Sequence, residues 1–174
     1  KGPKYSIKKF FLFIPWVALL SPAGFAQKIE PKTIDSLLAL LKKAKDDSTK
    51  LNLYVAIIHG HVNYKPQEGL AYEQAALALA QKLNSKTGTA RIIHKIGRIY
   101  WRMGNFKEAL KNHFEALDIY TQAGNKQNEG NVMVAIGQDY LDNGKYDEAM
   151  TYLSKALQIS KEVSDTITMA TACD

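Results

Sequence analysis

The stretch ARIIHKIGRIYWRMGNFKEAL, residues 90–110, returns in kind as GNVMVAIGQDYLDNGKYDEAM, residues 130–150. Written one above the other without a gap, Ile96 meets Ile136, Gly97 meets Gly137, Tyr100 meets Tyr140, Gly104 meets Gly144 and Ala109 meets Ala149. The register continues through Phe106 over Tyr146, Glu108 over Glu148, Ala116-Leu117 over Ala156-Leu157 and Ile119 over Ile159. So many matched residue types at one offset of forty residues mark an internal repeat. The offset also reaches backwards, placing Glu68 under Glu108, Ala76-Leu77 under Ala116-Leu117 and Leu79 under Ile119. Turn-forming pairs recur with it, at Asn84-Ser85, Gly124-Asn125 and Ser164-Asp165. The first half of the earliest unit is degenerate: Ile57 and Gly60 stand where Gly97 and Tyr100 would, and Pro66 replaces the aromatic.

Each unit reads as a helical hairpin. Over about 87–103, Ile92, Ile93, Ile96, Ile99, Tyr100 and Met103 fall at helical spacing, which predicts one buried face. Gly104 ends that helix, because glycine accepts the left-handed conformation that closes a helix. Phe106 plugs the turn, and Glu108 then sits in the first turn of the second helix, where its charge suits the helix dipole. Gly97 and Ala109 are small, as a close crossing of the two helices requires.

Gly97, Tyr100, Gly104, Phe106, Ala109 and Ala116-Leu117, with Gly137, Tyr140, Gly144, Tyr146, Ala149 and Ala156-Leu157 after them, resemble the small, aromatic and glycine positions of the tetratricopeptide repeat. The resemblance covers about residues 46–174. It implies an all-α fold, a right-handed α-solenoid of antiparallel helix pairs. Two features depart from the family: a period of forty rather than thirty-four, which implies lengthened helices, and no proline closing the second helix. His113 also stands at a usually aromatic position and reads as a partly buried residue whose nitrogen is satisfied by a neighbour. The expected units are 46–85 (degenerate), 86–125 and 126–165, with residues 166–174 opening a further one. Ahead of them, within 27–45, Ile34 to Leu41 forms an amphipathic helix that caps the array.

The formal net charge of +6 invites a nucleic-acid reading, and its distribution removes it. Lys1, Lys4, Lys8 and Lys9 precede position 27 and no acidic residue does, which leaves 19 basic residues against 17 acidic ones in the rest. A near-neutral body lacks the footprint of a phosphate-binding surface. The four lysines, the apolar run from Phe10 to Leu20 and the small residues Gly24 and Ala26 instead form the pattern of a secretory signal over residues 1–26. That run spans about 16 Å as a helix, short of the roughly 30 Å of a bilayer core, so a cleaved signal is favoured over a retained anchor. The array is then expected outside the cytoplasm, secreted or periplasmic, with membrane attachment only through this signal or a segment outside the sequence.

Catalytic motifs are absent: there is no phosphate-binding Gly-rich loop with Lys-Ser/Thr, no Gly-x-Ser-x-Gly and no His-Glu-x-x-His. The lone Cys173 excludes a cysteine-only zinc site, and His59 and His61 point about 200° apart on a helix, so no metal or cofactor is expected. The constellation that stands out is a basic stripe on the first helix of the middle unit: Arg91, Lys95, Arg98 and Arg102 at i, i+4, i+7 and i+11, flanked by His94 and Trp101. The resemblance places these on the inner, concave face, with Asn131, Val134, Gln138 and Asp142 on the next unit. One reading is a groove for an acidic peptide or protein partner, arginine supplying bidentate donors and Trp101 an apolar platform. The other is a solvated helix face. The expected function is a non-enzymatic protein–protein interaction scaffold. The alternative, implied by resemblance to extracytoplasmic arrays of bacterial sensor histidine kinases, is the sensory part of a signalling enzyme, a histidine kinase or cyclase, whose catalytic domain lies beyond residue 174.

Overall fold

The computed structural model describes residues 31–172 and, for side chains, 33–164. The signal-like segment and Cys173 lie outside the described residues. Eight helices follow one another: α1 (Pro31–Leu41), α2 (Ser48–His61), α3 (Pro66–Leu70), α4 (Glu73–Lys82), α5 (Lys86–Arg102), α6 (Phe106–Gln122), α7 (Lys126–Asp142) and α8 (Tyr146–Ala172). From α4 onward successive helices pack as antiparallel neighbours, and α2, α5 and α7 also touch one another in order, which stacks the hairpins into the expected α-solenoid.

One turn chemistry builds the stack. Asn84, Gly104, Gly124 and Gly144 all adopt positive φ, between 53° and 74°. The next residue in each case donates its N–H five residues back: Ser85 to Ala80, Asn105 to Tyr100, Asn125 to Tyr120 and Lys145 to Tyr140, at 2.8–2.9 Å. This is the Schellman closure of a helix, which glycine and asparagine accept because the left-handed region costs them least. In three turns the donor residue then caps the next helix: Ser85 Oγ accepts from Gly88 N, Asn105 Oδ1 from Glu108 N and Asn125 Oδ1 from Asn128 N. With three-residue turns, α5, α6 and α7 each hold 17 residues, which accounts for the forty-residue period.

Two expectations are corrected. The turn at Ser164-Asp165 does not form, and α8 runs unbroken from Tyr146 to Ala172. Serine stands there at the position that glycine or asparagine holds elsewhere, and Ser164 Oγ donates instead to the Ser160 carbonyl at 2.8 Å, continuing the helix. Met103, expected on the buried face, is 39% exposed because it lies in the non-helical cap of α5. The second helix of the degenerate unit is interrupted between α3 and α4, where Tyr72 N reaches back three residues to Gly69 O.

The core forms two clusters on either side of α5. Ile92, Ile96 and Ile99 pack with Leu51, Val55, Ile58 and Ala76, while Ala90 and Ile93 pack with Ala116, Tyr120, Val132 and Ile136. Within the hairpins the helices approach closely. A Cβ on Gly97 would lie 2.5 Å from His113 Cδ2 and 3.2 Å from the Ala109 carbonyl; on Gly137 it would lie 2.7 Å from Leu153 Cγ. Ala109 is fully buried at this crossing. Ala109→Leu is expected to overpack it and to lower stability by about 1–3 kcal/mol in denaturant unfolding; an unchanged midpoint would show that the crossing has room.

Candidate ligand groove

The parallel run of α5 and α7 leaves a cavity of about 580 Å³ between them, with α6 behind. Arg91, His94, Lys95, Arg98 and Trp101 line it from α5, Asn131, Val134 and Gln138 from α7. Eight of the ten residues expected in the groove therefore share one cavity. The other two do not line it. Asp142 is tied up at the rim, accepting from Trp101 Nε1 at 2.6 Å and from Gln138 Nε2 at 3.0 Å, and so it holds the indole in place. Arg102, the last residue of α5, is exposed and lies off the cavity.

The charge environment of the stripe differs from that of an ordinary solvated face. Arg91, Lys95 and Arg98 are each half-buried, and among the described residues none of them has a carboxylate partner. Among the described residues Arg91 makes one hydrogen bond, Nη2 to Asn52 Oδ1 at 2.7 Å, while its Nε is buried with no partner. Burial, then the charges of Arg98 and Arg91, pull the Lys95 ammonium down to about 8. Burial lowers Arg98 as well. On the neighbouring α2, His59 is lowered to about 4 by burial and then by Lys95 and Arg98. Desolvated like charges without counter-ions are costly, and an anion entering the cavity relieves them. Beside them Val134 is 51% exposed, an apolar contact facing Trp101 across the groove.

The sequence reading missed the floor of the cavity. His113 of α6, expected to be partly buried, is 1% exposed, and its neighbour is Asp139 of α7, also 1% exposed, with Nδ1 and Oδ2 2.7 Å apart. Burial pushes the Asp139 carboxyl up, the His113 contact opposing it. The signal was available as a break in the repeat: in register with Asp139 stands Ile99, and in register with His113 stands Leu153. Among the described residues no three His, Cys, Asp or Glu side chains converge as a metal site, and no helix is long and apolar enough to cross a membrane.

The tetratricopeptide-repeat family model matches residues 49–122 and again 88–162, together most of the chain. This chain is a tetratricopeptide-repeat protein. Its repeats are those of a protein–protein interaction scaffold. It is 26% identical over 100 residues to tetratricopeptide repeat protein 29 of Trypanosoma brucei brucei, covering 58% of this chain and 21% of that one. It is 29% identical over 96 residues to the outer dynein arm-docking complex subunit 4 of Danio rerio, covering 55% and 19%. The chain thus matches about a fifth of the length of these curated relatives. Among solved structures it is similar in fold to a Rap protein complexed with competence and sporulation factor (TM-score 0.69, 18% identity, 79% of this chain and 40% of that). The signal transduction ATPase with a tetratricopeptide repeat sensor from Pyrococcus horikoshii is also similar (TM-score 0.65, 20% identity, 76% and 21%), as is the repeat domain of Arabidopsis FLU (TM-score 0.59, 20% identity, 66% and 98%).

Lys95 offers a direct check. Its folded pKa lies below its unfolded value, so the charged form weakens the fold, and this group adds stability as pH rises from about 8 toward the ordinary lysine range. Lys95→Met keeps the length of the side chain without the charge and is expected to raise Tm at pH 7. A lower Tm in a folded variant would show that the ammonium is stabilised rather than strained.

Proposed function

We propose that the array docks an acidic segment of a peptide or protein partner in the cavity between α5 and α7. The observation that carries this reading is the set of three desolvated cations, Arg91, Lys95 and Arg98, facing one cavity with no carboxylate partner among the described residues. Guanidinium groups hold carboxylates through paired donors, and a ligand that supplies those carboxylates gains both contacts and the relief of like-charge repulsion. Trp101, braced by Asp142, and Val134 add an apolar contact for a neighbouring side chain. Asn131 and Gln138 on the opposite wall are suited to a polypeptide backbone, which needs both donors and acceptors. The similarity in fold to a Rap protein solved in complex with competence and sporulation factor supports occupancy of such an array by a bound ligand.

A second reading makes the array the sensory part of a signalling enzyme with its catalytic domain beyond residue 174. The similarity to an ATPase whose repeats are described as a sensor supports it. The basic head and apolar run of residues 1–20 support placement outside the cytoplasm, secreted or periplasmic. Residues 1–30 fused to a reporter active only after export are expected to give export; a reporter retained in the cytoplasm would overturn that placement.

The groove is tested with fluorescein-labelled acetyl-penta-aspartate and acetyl-penta-lysine amides. The aspartate peptide is expected to bind and the lysine peptide not to, with affinity falling as salt rises. Arg98→Ala is expected to weaken binding about tenfold, or roughly 1.4 kcal/mol, and Arg102→Ala, outside the cavity, to leave it unaltered. Equal binding of both peptides, or an undiminished affinity in folded Arg98→Ala, would remove the cationic wall from the site.

A further inference from the structure

Neither the cationic stripe nor the repeat pattern accounts for the polar back wall of the groove. The His94 ring of α5 lies 5.1 Å from the His113 ring of α6, and His113 Nδ1 lies 2.7 Å from Asp139 Oδ2 of α7. Three helices thus contribute one side chain each to a line that leads from the cavity wall to a buried carboxylate. In register with His113 stand Leu153 and, in the degenerate unit, Glu73; in register with Asp139 stand Ile99 and, in the degenerate unit, His59. Apolar residues in place of a buried polar pair are commonly neutral or stabilising, so holding helices together does not by itself explain the polar version.

His94 is faced by His113 from α6 and by His59 from α2, and it has Lys95 and Arg98 on its own helix. Behind His113 stands Asp139 of α7, with Asp142 one turn further on. Burial first, then His113, Lys95, Arg98 and His59, hold the His94 imidazole well below the ordinary histidine range, so it is neutral at pH 7. Among the described residues His94 Nδ1 has no hydrogen-bond partner, and neither has His113 Nε2. The two differ in access. His113 Nε2 is pressed against Gly97, where an added Cβ would come within 2.6 Å, whereas the His94 ring, its Nδ1 buried, is partly exposed on the cavity wall.

We propose that the groove takes its anionic ligand together with a proton, that His94 accepts this proton, and that the His113–Asp139 pair is the positioning element that makes a cationic His94 tolerable. The proposal rests on the anionic-ligand reading of the groove. An anion seated against Lys95 and Arg98 cancels the two like charges that oppose protonation, and Asp139, held behind His113, supplies the opposite charge on the far side. One proton comes from solvent, His94 becomes imidazolium, and it gains a donor for the ligand. The sign follows from linkage: ligand raises the proton affinity of His94, so protons raise the affinity for ligand. Binding tightens as pH falls through the histidine range, by at most about tenfold per pH unit for one proton.

The test uses the full chain and two probes, acetyl-penta-aspartate amide and its penta-cysteate counterpart, whose sulfonates keep their charge throughout. Calorimetric titrations at pH 7.5 and 5.5, each in two buffers of different ionisation heat, are expected to show binding about threefold tighter or more at pH 5.5, with net proton uptake. The His94 imidazole resonances are expected to titrate at higher pH in the saturated protein. His94→Gln removes the uptake and the pH slope. His113→Leu with Asp139→Ile, the residues of the neighbouring registers, keeps the helical circular dichroism and at least halves the uptake. Binding without pH slope or uptake in the unmodified chain overturns the proposal and leaves the groove reading intact. Failure of both probes to shift the Lys95 and Arg98 resonances overturns both. Uptake that persists in His94→Gln rules out that residue, and uptake unaltered in the folded double variant rules out the positioning role.

Discussion

The structure depends on a single backbone conformation placed every twenty residues. Asn84, Gly104, Gly124 and Gly144 turn the chain through the left-handed region and thereby fix where α4 to α7 stop and α5 to α8 begin. Because the turns are alike in geometry and spacing, α5, α6 and α7 come out equal in length, and residues forty apart occupy equivalent places. Where the residue type fails, so does the reversal. Serine at 164 has a Cβ that penalises positive φ and a hydroxyl that satisfies the Ser160 carbonyl in a continued helix, and α8 runs on.

From this spacing the groove follows. Equal helices bring α5 and α7 side by side, so a stripe at i, i+4 and i+7 on one lies opposite the polar residues of the other across a shared cavity. Glycine at 97 lets α6 come close enough for His113 to reach past α5 and meet Asp139 of the following unit. The small residue that the hairpin needs for packing is thus also what admits a polar side chain to the floor of the groove. In the next unit, Gly137 admits Leu153 in the same way, with apolar consequences.

The repeat, its turns and its buried face were legible because they depend on residue type at fixed spacing. Gly104 and Gly144 announce the reversals, and Ile92, Ile96 and Ile99 the core. The cationic wall was legible too, since helical spacing alone puts Arg91, Lys95 and Arg98 in one line. What escaped were properties of pairs. Nothing local to His113 or Asp139 says that they meet, as they are 26 residues apart and belong to different units. Asp142 looked like a groove residue by register, but its carboxylate is used by Trp101 and Gln138. Arg102 continues the stripe geometrically, yet it lies at the helix end, past the cavity.

An array of stacked units draws its stability from each unit and from its contacts with the neighbours on either side. The middle unit has both. Helix α5 buries Ile92, Ile96 and Ile99 against the unit before it and Ala90 and Ile93 against the unit after it. Each such isoleucine contributes roughly 1.5–3 kcal/mol relative to exposure. That surplus is what permits the other face of the same helix to carry three cations without carboxylate partners among the described residues, and a half-buried histidine. The packing is thinner on α8, where Tyr146, Met150 and Leu157 stand 58–67% exposed while the equivalent Phe106, Leu110 and Leu117 are half-buried. The costly chemistry therefore sits where the packing on both flanks can hold it, and the residues that weaken α5 locally are the ones that line the cavity.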